Sequence, residues 1–101
     1  MTAIVITRYK SSAADYERVA RLRPRDFDAL SVIAKAEGCL HHQVAVSDDD
    51  RDVILIDEWP DKEAYNRFAL NPAVVDLLRG WSLEDPPETD YYRLIHDPAE
   101  F

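Results

Sequence analysis

Two stretches of this chain, Ala3-Ile4-Val5-Ile6 and Val53-Ile54-Leu55-Ile56, are apolar at every consecutive position, and no other feature restricts its folds more. Side chains along a β-strand alternate between its two faces, so a strand with one wet face alternates apolar with polar. Here Ile4 and Ile6 point away from Ala3 and Val5, and Ile54 and Ile56 point away from Val53 and Leu55. Strands read this way when both of their faces are covered. Runs of four fall far short of the ~20 residues a membrane helix needs, so the cover on each side is expected to be protein.

The remaining elements follow from periodicity and punctuation. Thr2 to Tyr9 predicts a first strand, closed by Lys10-Ser11-Ser12. Ser12 with Asp15 marks a helix start, and Tyr16, Val19, Ala20 and Leu22 recur at helical spacing up to the Arg23-Pro24 break. A second helix starts at Pro24, carries Phe27, Leu30, Ile33 and Ala34, and stops at Gly38. Leu40 to Val46 and Asp52 to Trp59 predict two strands paired as a hairpin around Ser47-Asp48-Asp49-Asp50. Pro60-Asp61 opens a helix with Ala64, Tyr65 and Phe68 on one stripe, which breaks at Asn71-Pro72 and resumes through Val74, Val75, Leu77 and Leu78 to Gly80. Leu83 to Thr89 reads as a loop, Asp90 to His96 as a fourth strand, and Asp97 to Phe101 as a tail.

The order strand, helix, strand, strand, helix, strand is the ferredoxin-like βαββαβ arrangement, an α+β fold with one antiparallel sheet and its helices on one face. At 101 residues the chain reads as a single domain, residues 1–101. It has no residues to spare for the sheet's second face. The economical cover is a second copy, so the expectation is a homodimer with two sheets packed face to face.

Composition narrows the function. Twelve Lys and Arg against twenty Asp and Glu leave a formal charge of −8, which would repel a nucleic-acid backbone. The N-terminus has no charged segment followed by an apolar signal core, so the chain reads as cytoplasmic, with neither nucleic acid nor membrane as a partner. A single cysteine, Cys39, permits no internal disulfide, and one thiol with three scattered histidines gives no zinc spacing.

Gly38-Cys39-Leu40-His41-His42, the segment Ile56-Asp57-Glu58-Trp59-Pro60-Asp61-Lys62-Glu63-Ala64-Tyr65 and the later Asn71-Pro72 give the chain its resemblance to a known family. Over roughly residues 25 to 80 it resembles the antibiotic biosynthesis monooxygenase family of the dimeric α/β-barrel superfamily. The resemblance implies a small homodimer that binds flat aromatic or quinol-like molecules between sheet and helices. In several members such molecules are oxygenated without flavin, haem or metal, so no cofactor is expected, and the partners are a small aromatic substrate and dioxygen. Trp59 and Tyr65 fall on the family's pocket Trp and Tyr, and Arg79 lies near where some members place a pocket Arg. Where some oxygenating members hold the substrate oxygen with an Asn, this chain has Leu55. A haem-degrading branch carries a ligand His where this chain has Ala69 and Leu70, which disfavours haem ligation.

If Trp59 faces the helices, alternation places Asp57, Leu55 and Val53 beside it. The family pattern lines the same cavity with Leu40, His42, Val44 and Val46 and turns His41 toward the dimer. His42 or Asp57 is the expected base, because an imidazole of pKa ~6.5 suits proton abstraction at neutral pH. Trp59 and Tyr65 would hold the resulting aromatic anion and donate hydrogen bonds to its oxygen, with Leu55 and Phe68 as walls and Arg79 stabilising the negative charge. Each residue also has a plain structural reading: a buried Trp59, a satisfied His42, and packing by Tyr65 and Phe68. Arg18, Arg21, Arg23 and Arg25 read as a solvated face, and Cys39 as a small buried hydrophobe.

The expected function is a cofactor-independent monooxygenase acting on an aromatic, polyketide-like or hydroquinone substrate. The alternatives are an isomerase of a small metabolite on the same fold, or a non-catalytic dimeric ligand-binding or accessory protein.

Overall fold

The computed structural model describes residues 2–79 and 87–101, except for the side chain of Arg79. In chain order the elements are β1 (Ala3–Lys10), α1 (Ala13–Leu22), α2 (Pro24–Ala36), β2 (His41–Val46), β3 (Asp52–Trp59), α3 (Lys62–Leu70), α4 (Pro72–Arg79) and β4 (Glu88–Arg93). The strands form an antiparallel sheet in the order β2-β3-β1-β4, the ferredoxin-like α+β topology. Both two-part helical crossovers lie where the sequence breaks them, at Pro24 and at Asn71-Pro72.

Local chemistry fixes most of the boundaries. The Ser12 hydroxyl accepts from the Asp15 amide at 3.1 Å, and the Asp61 carboxylate accepts from the Ala64 amide at 2.8 Å, each satisfying one orphan donor at a helix start. After α2 the chain turns through Gly38 at φ 103°, a conformation that costs a side-chain-bearing residue far more than glycine. A Cβ there would sit 3.4 Å from Pro60 Cγ, so the end of α2 lies directly against the start of the next crossover. Two arginines of the basic cluster form surface ion pairs, Arg18 with Asp15 at 3.0 Å and Arg23 with Asp26 at 3.1 Å.

The last strand differs from expectation. It runs Glu88–Arg93 rather than Asp90 to His96, because its ladder partner sets its length: Arg8 opposes Glu88 and Ala3 opposes Arg93, where β1 ends. Arg8 anchors the start through Glu88 at 3.2 Å and Asp90 at 4.0 Å. Leu94 adds one more bond, to the Thr2 carbonyl, whereas Ile95 and His96 lie beyond the ladder despite their strand-like pattern. Glu88 and Thr89 thus belong to β4, while Gly80 and most of the expected Leu83–Thr89 loop lie outside the described residues.

The core gathers on one face of the sheet. Val5 and Trp59 from adjacent strands are fully buried with Ala64 of α3, and Ala34 of α2, Cys39, Tyr65 and Phe68 close around them. No described helix packs on the opposite face, where the register places Ile4, Ile6, Ile54 and Ile56, all only partly buried. No described helix is long and apolar enough to cross a membrane.

Removing the Asp61 cap tests how firmly α3 is held. Asp61→Ala should lower stability by ~1 kcal/mol, measured as a lower urea midpoint at an unchanged slope.

Candidate functional site

The strand register decides what the helices look down upon. β1 presents Val5, Thr7 and Tyr9, β3 presents Val53, Leu55, Asp57 and Trp59, the edge strand β2 presents His42, Val44 and Val46, and β4 presents Thr89 and Tyr91. Between this face and the helices lies a cavity of about 630 Å³, a volume suited to a small organic ligand.

Six of the residues singled out from the sequence border that one cavity: His42, Leu55, Asp57, Trp59, Tyr65 and Phe68. Arg79 closes α4 in the backbone, and its side chain lies outside the described residues. His41, opposite Glu58 in the ladder and so on the other face by alternation, also borders the cavity. Sequence reasoning gave no site role to Tyr9, Tyr16, Phe27, Thr7 or Thr89, all of which line it. Thr7 and Tyr9 were accessible to the alternation rule, being two and four residues beyond Val5. Tyr16 and Phe27 were visible only as apolar helix positions, and nothing in the sequence brings them together as the fold does, with ring centroids 5.9 Å apart and edge to face.

The aromatic wall is built around Trp59. Its ring meets Tyr65 edge-on at 5.7 Å and Phe68 at 5.3 Å, arrangements that the ring quadrupoles favour. Trp59 Nε1 has no hydrogen-bond partner among the described residues and is sealed from solvent, so the indole offers the cavity its ring rather than its donor.

The polar part is organised by Asp57. Its Cα partner across the β2–β3 ladder is His42, and His42 Nδ1 hydrogen-bonds to Asp57 Oδ1. Asp57 is 13% exposed and His42 51%, so a nearly buried carboxylate faces a half-exposed imidazole. That bond pushes the His42 pKa above its ordinary value, against the smaller opposing effect of burial. A neutral ring that donates from Nδ1 leaves Nε2 as its basic nitrogen.

Around this pair the phenols stay neutral. Burial, reinforced by electrostatic coupling to Tyr65, Tyr16 and the Asp57 carboxylate, pushes Tyr9 up to about 12. Burial also raises Tyr16, with Asp57 second. Tyr65 is raised by burial and by Tyr91, while hydrogen bonds with the Thr7 and Thr89 hydroxyls pull the other way. The Cys39 thiol is pushed up by burial first and by Asp57 next, so it remains a thiol at neutral pH, the state of a poor nucleophile. The chamber thus combines one accepting base, several neutral donors and flat aromatic surface, a set suited to taking a proton from a planar molecule and holding the anion that results.

The profile of the antibiotic biosynthesis monooxygenase family matches residues 2–79. Among solved structures, the chain is similar to Rv0793 from Mycobacterium tuberculosis, with TM-score 0.69 and 19% identity over 98% of this chain and 100% of that one. It is similar to SnoaB, a cofactor-independent oxygenase from Streptomyces nogalater, with TM-score 0.67 and 18% identity over 98% of each chain. PA3566 from Pseudomonas aeruginosa gives TM-score 0.62 and 23% identity over 93% of this chain and 95% of that one. At these identities the likenesses speak for the fold. No curated protein sequence matches the chain.

The histidine–carboxylate pair has a thermodynamic signature. Because the His42 pKa is raised on folding, the stability it adds is fully present below the unfolded value of ~6.5 and is lost as pH rises through the folded value. In Asp57→Asn, the His42 pKa measured by NMR should fall toward ~6.5. The stability gap between wild type and variant should also narrow as pH rises above ~6.5 and through the raised folded value of His42.

Proposed function

Because the chain belongs to the antibiotic biosynthesis monooxygenase family, we propose that it oxidises an aromatic, polyketide-like or hydroquinone substrate with dioxygen and without a bound cofactor. The observation carrying this reading is the chamber itself, where the His42–Asp57 pair sits beside flat aromatic surface in a single cavity.

For an anthrone-type substrate, His42 Nε2 takes a proton from the activated methylene, and Asp57 holds the imidazole and balances the charge it gains. The electron-rich anion passes an electron to dioxygen, and the two radicals combine to form a carbon–oxygen bond. The resulting peroxide loses water and leaves a carbonyl. One oxygen atom stays in the product and the other departs as water, so the substrate supplies all the reducing electrons. Trp59, Phe68 and Leu55 keep the ring system flat and dry, with the Tyr65 ring, steadied by Thr7 and Thr89, completing the aromatic wall.

The same reading assigns residues 1–101 to one domain that works as a homodimer. Ile4, Ile6, Ile54 and Ile56, partly buried and facing away from the helices, would be covered by the sheet of a second copy. Leu55 favours a second reading: the cavity presents an alkyl side chain there, whereas the His42–Asp57 pair alone suffices for proton transfer, the chemistry of an isomerase.

Three measurements test the reaction, the base and the dimer in turn. Anthrone turnover in labelled dioxygen should place one labelled oxygen in the product and stop under argon; turnover that continues under argon would establish the isomerase. His42→Ala should lower kcat by roughly a hundredfold or more, the usual loss when a general base is removed. Ile54→Glu, with a charge in the centre of the outer face, should halve the sedimenting mass.

A further inference from the structure

The donors around the cavity are not equally available to a ligand. Tyr65 is engaged with Thr7 and Thr89. Trp59 Nε1 is sealed from contact. Tyr9 lines the cavity from β1, on the helix-facing side of the sheet opposite Val53, and its hydroxyl makes no hydrogen bond to a described residue. Tyr65, Tyr16 and Asp57, which act on it electrostatically, line the same cavity. Tyr16 stands on α1, whereas Tyr9 is held in the sheet by its ladder pairing with Val53 of β3, so Tyr9 is the donor fixed by the sheet rather than by a helix.

On the reading of the site given above, we propose that the Tyr9 hydroxyl is the hydrogen-bond donor that holds the substrate's oxygen as that oxygen becomes anionic. The physical logic is that of an oxyanion hole. A neutral, partly desolvated phenol fixed before the reaction stabilises charge that appears only as the substrate loses its proton. Asp57 alone would repel that anion. Once His42 has accepted the proton, the pair is neutral overall and the Tyr9 donor acts unopposed. Tyr9 stands four ladder positions along β1 from the row that holds His42 and Asp57, so it selects ligands whose phenol or enol oxygen lies across the ring system from the carbon that His42 deprotonates, over flat hydrocarbons of the same outline.

The test compares two probes with the full chain: 4-nitro-1-naphthol, followed by the visible absorption of its ionised form, and 1-nitronaphthalene, which lacks the hydroxyl. Wild type should bind the naphthol more tightly than the nitronaphthalene. Tyr9→Phe should lose about ten- to a hundredfold in affinity for the ionised naphthol, the usual worth of a hydrogen bond to a charged group. It should bind 1-nitronaphthalene as wild type does, which also shows that the variant is folded. Equal losses for both probes, no loss for the naphthol, or a wild type with no preference between them would overturn the proposal. Oxygen uptake with anthrone separates the two readings. If wild type holds the naphtholate through Tyr9 but consumes no oxygen, the monooxygenase reading falls and the role of Tyr9 stands. If oxygen is consumed and Tyr9→Phe changes neither binding nor rate, Tyr9 falls alone.

Discussion

The antiparallel pairing of β1 with β3 is the constraint on which the rest of the structure depends. With Ala3 opposite Trp59 and Tyr9 opposite Val53, all the helix-facing positions of the two central strands are set at once. The adjoining β2 ladder then has no freedom: His42 falls opposite Asp57 and Val44 opposite Leu55. A slip of one residue would turn Asp57 and Trp59 to the outer face and bring Glu58 and Ile56 inward. The apolar runs guard against that slip less than they would in an ordinary strand, because both faces are greasy. The helix side discriminates through Trp59, whose bulk fits only against Ala64, Tyr65 and Phe68.

Much of this was readable beforehand, for identifiable reasons. Ser12 and Asp61 announce helices because a side-chain oxygen must meet an amide that the helix leaves unbonded, which is a local requirement. Trp59, Asp57 and Leu55 share a face because alternation is local too. What stayed hidden was set at a distance. The span of β4 depends on where β1 ends, so Leu94, Ile95 and His96 misled as an apolar continuation. Tyr16 and Phe27 meet across two helices, and no spacing rule reports on that contact.

The site also shows how a protein tolerates polar groups in a dry place. Asp57 is nearly buried, yet its charge is met by the imidazole directly opposite it in the ladder. Tyr65 is satisfied by two threonines, whereas Trp59 Nε1 carries its cost unrelieved among the described residues. The arrangement spends stability where a planar guest is expected and conserves it in the strands beneath.

One consequence concerns the sulfur in the wall. Cys39 borders the cavity and donates its thiol hydrogen to the His41 carbonyl at 3.4 Å. Peroxides attack thiolates far faster than thiols. A chamber that generates a peroxide beside a cysteine would damage itself unless the sulfur kept its proton, and burial together with the nearby carboxylate keeps that proton in place. The same negative charge that holds the histidine therefore also keeps the neighbouring thiol protonated, the state that the proposed chemistry would require of it.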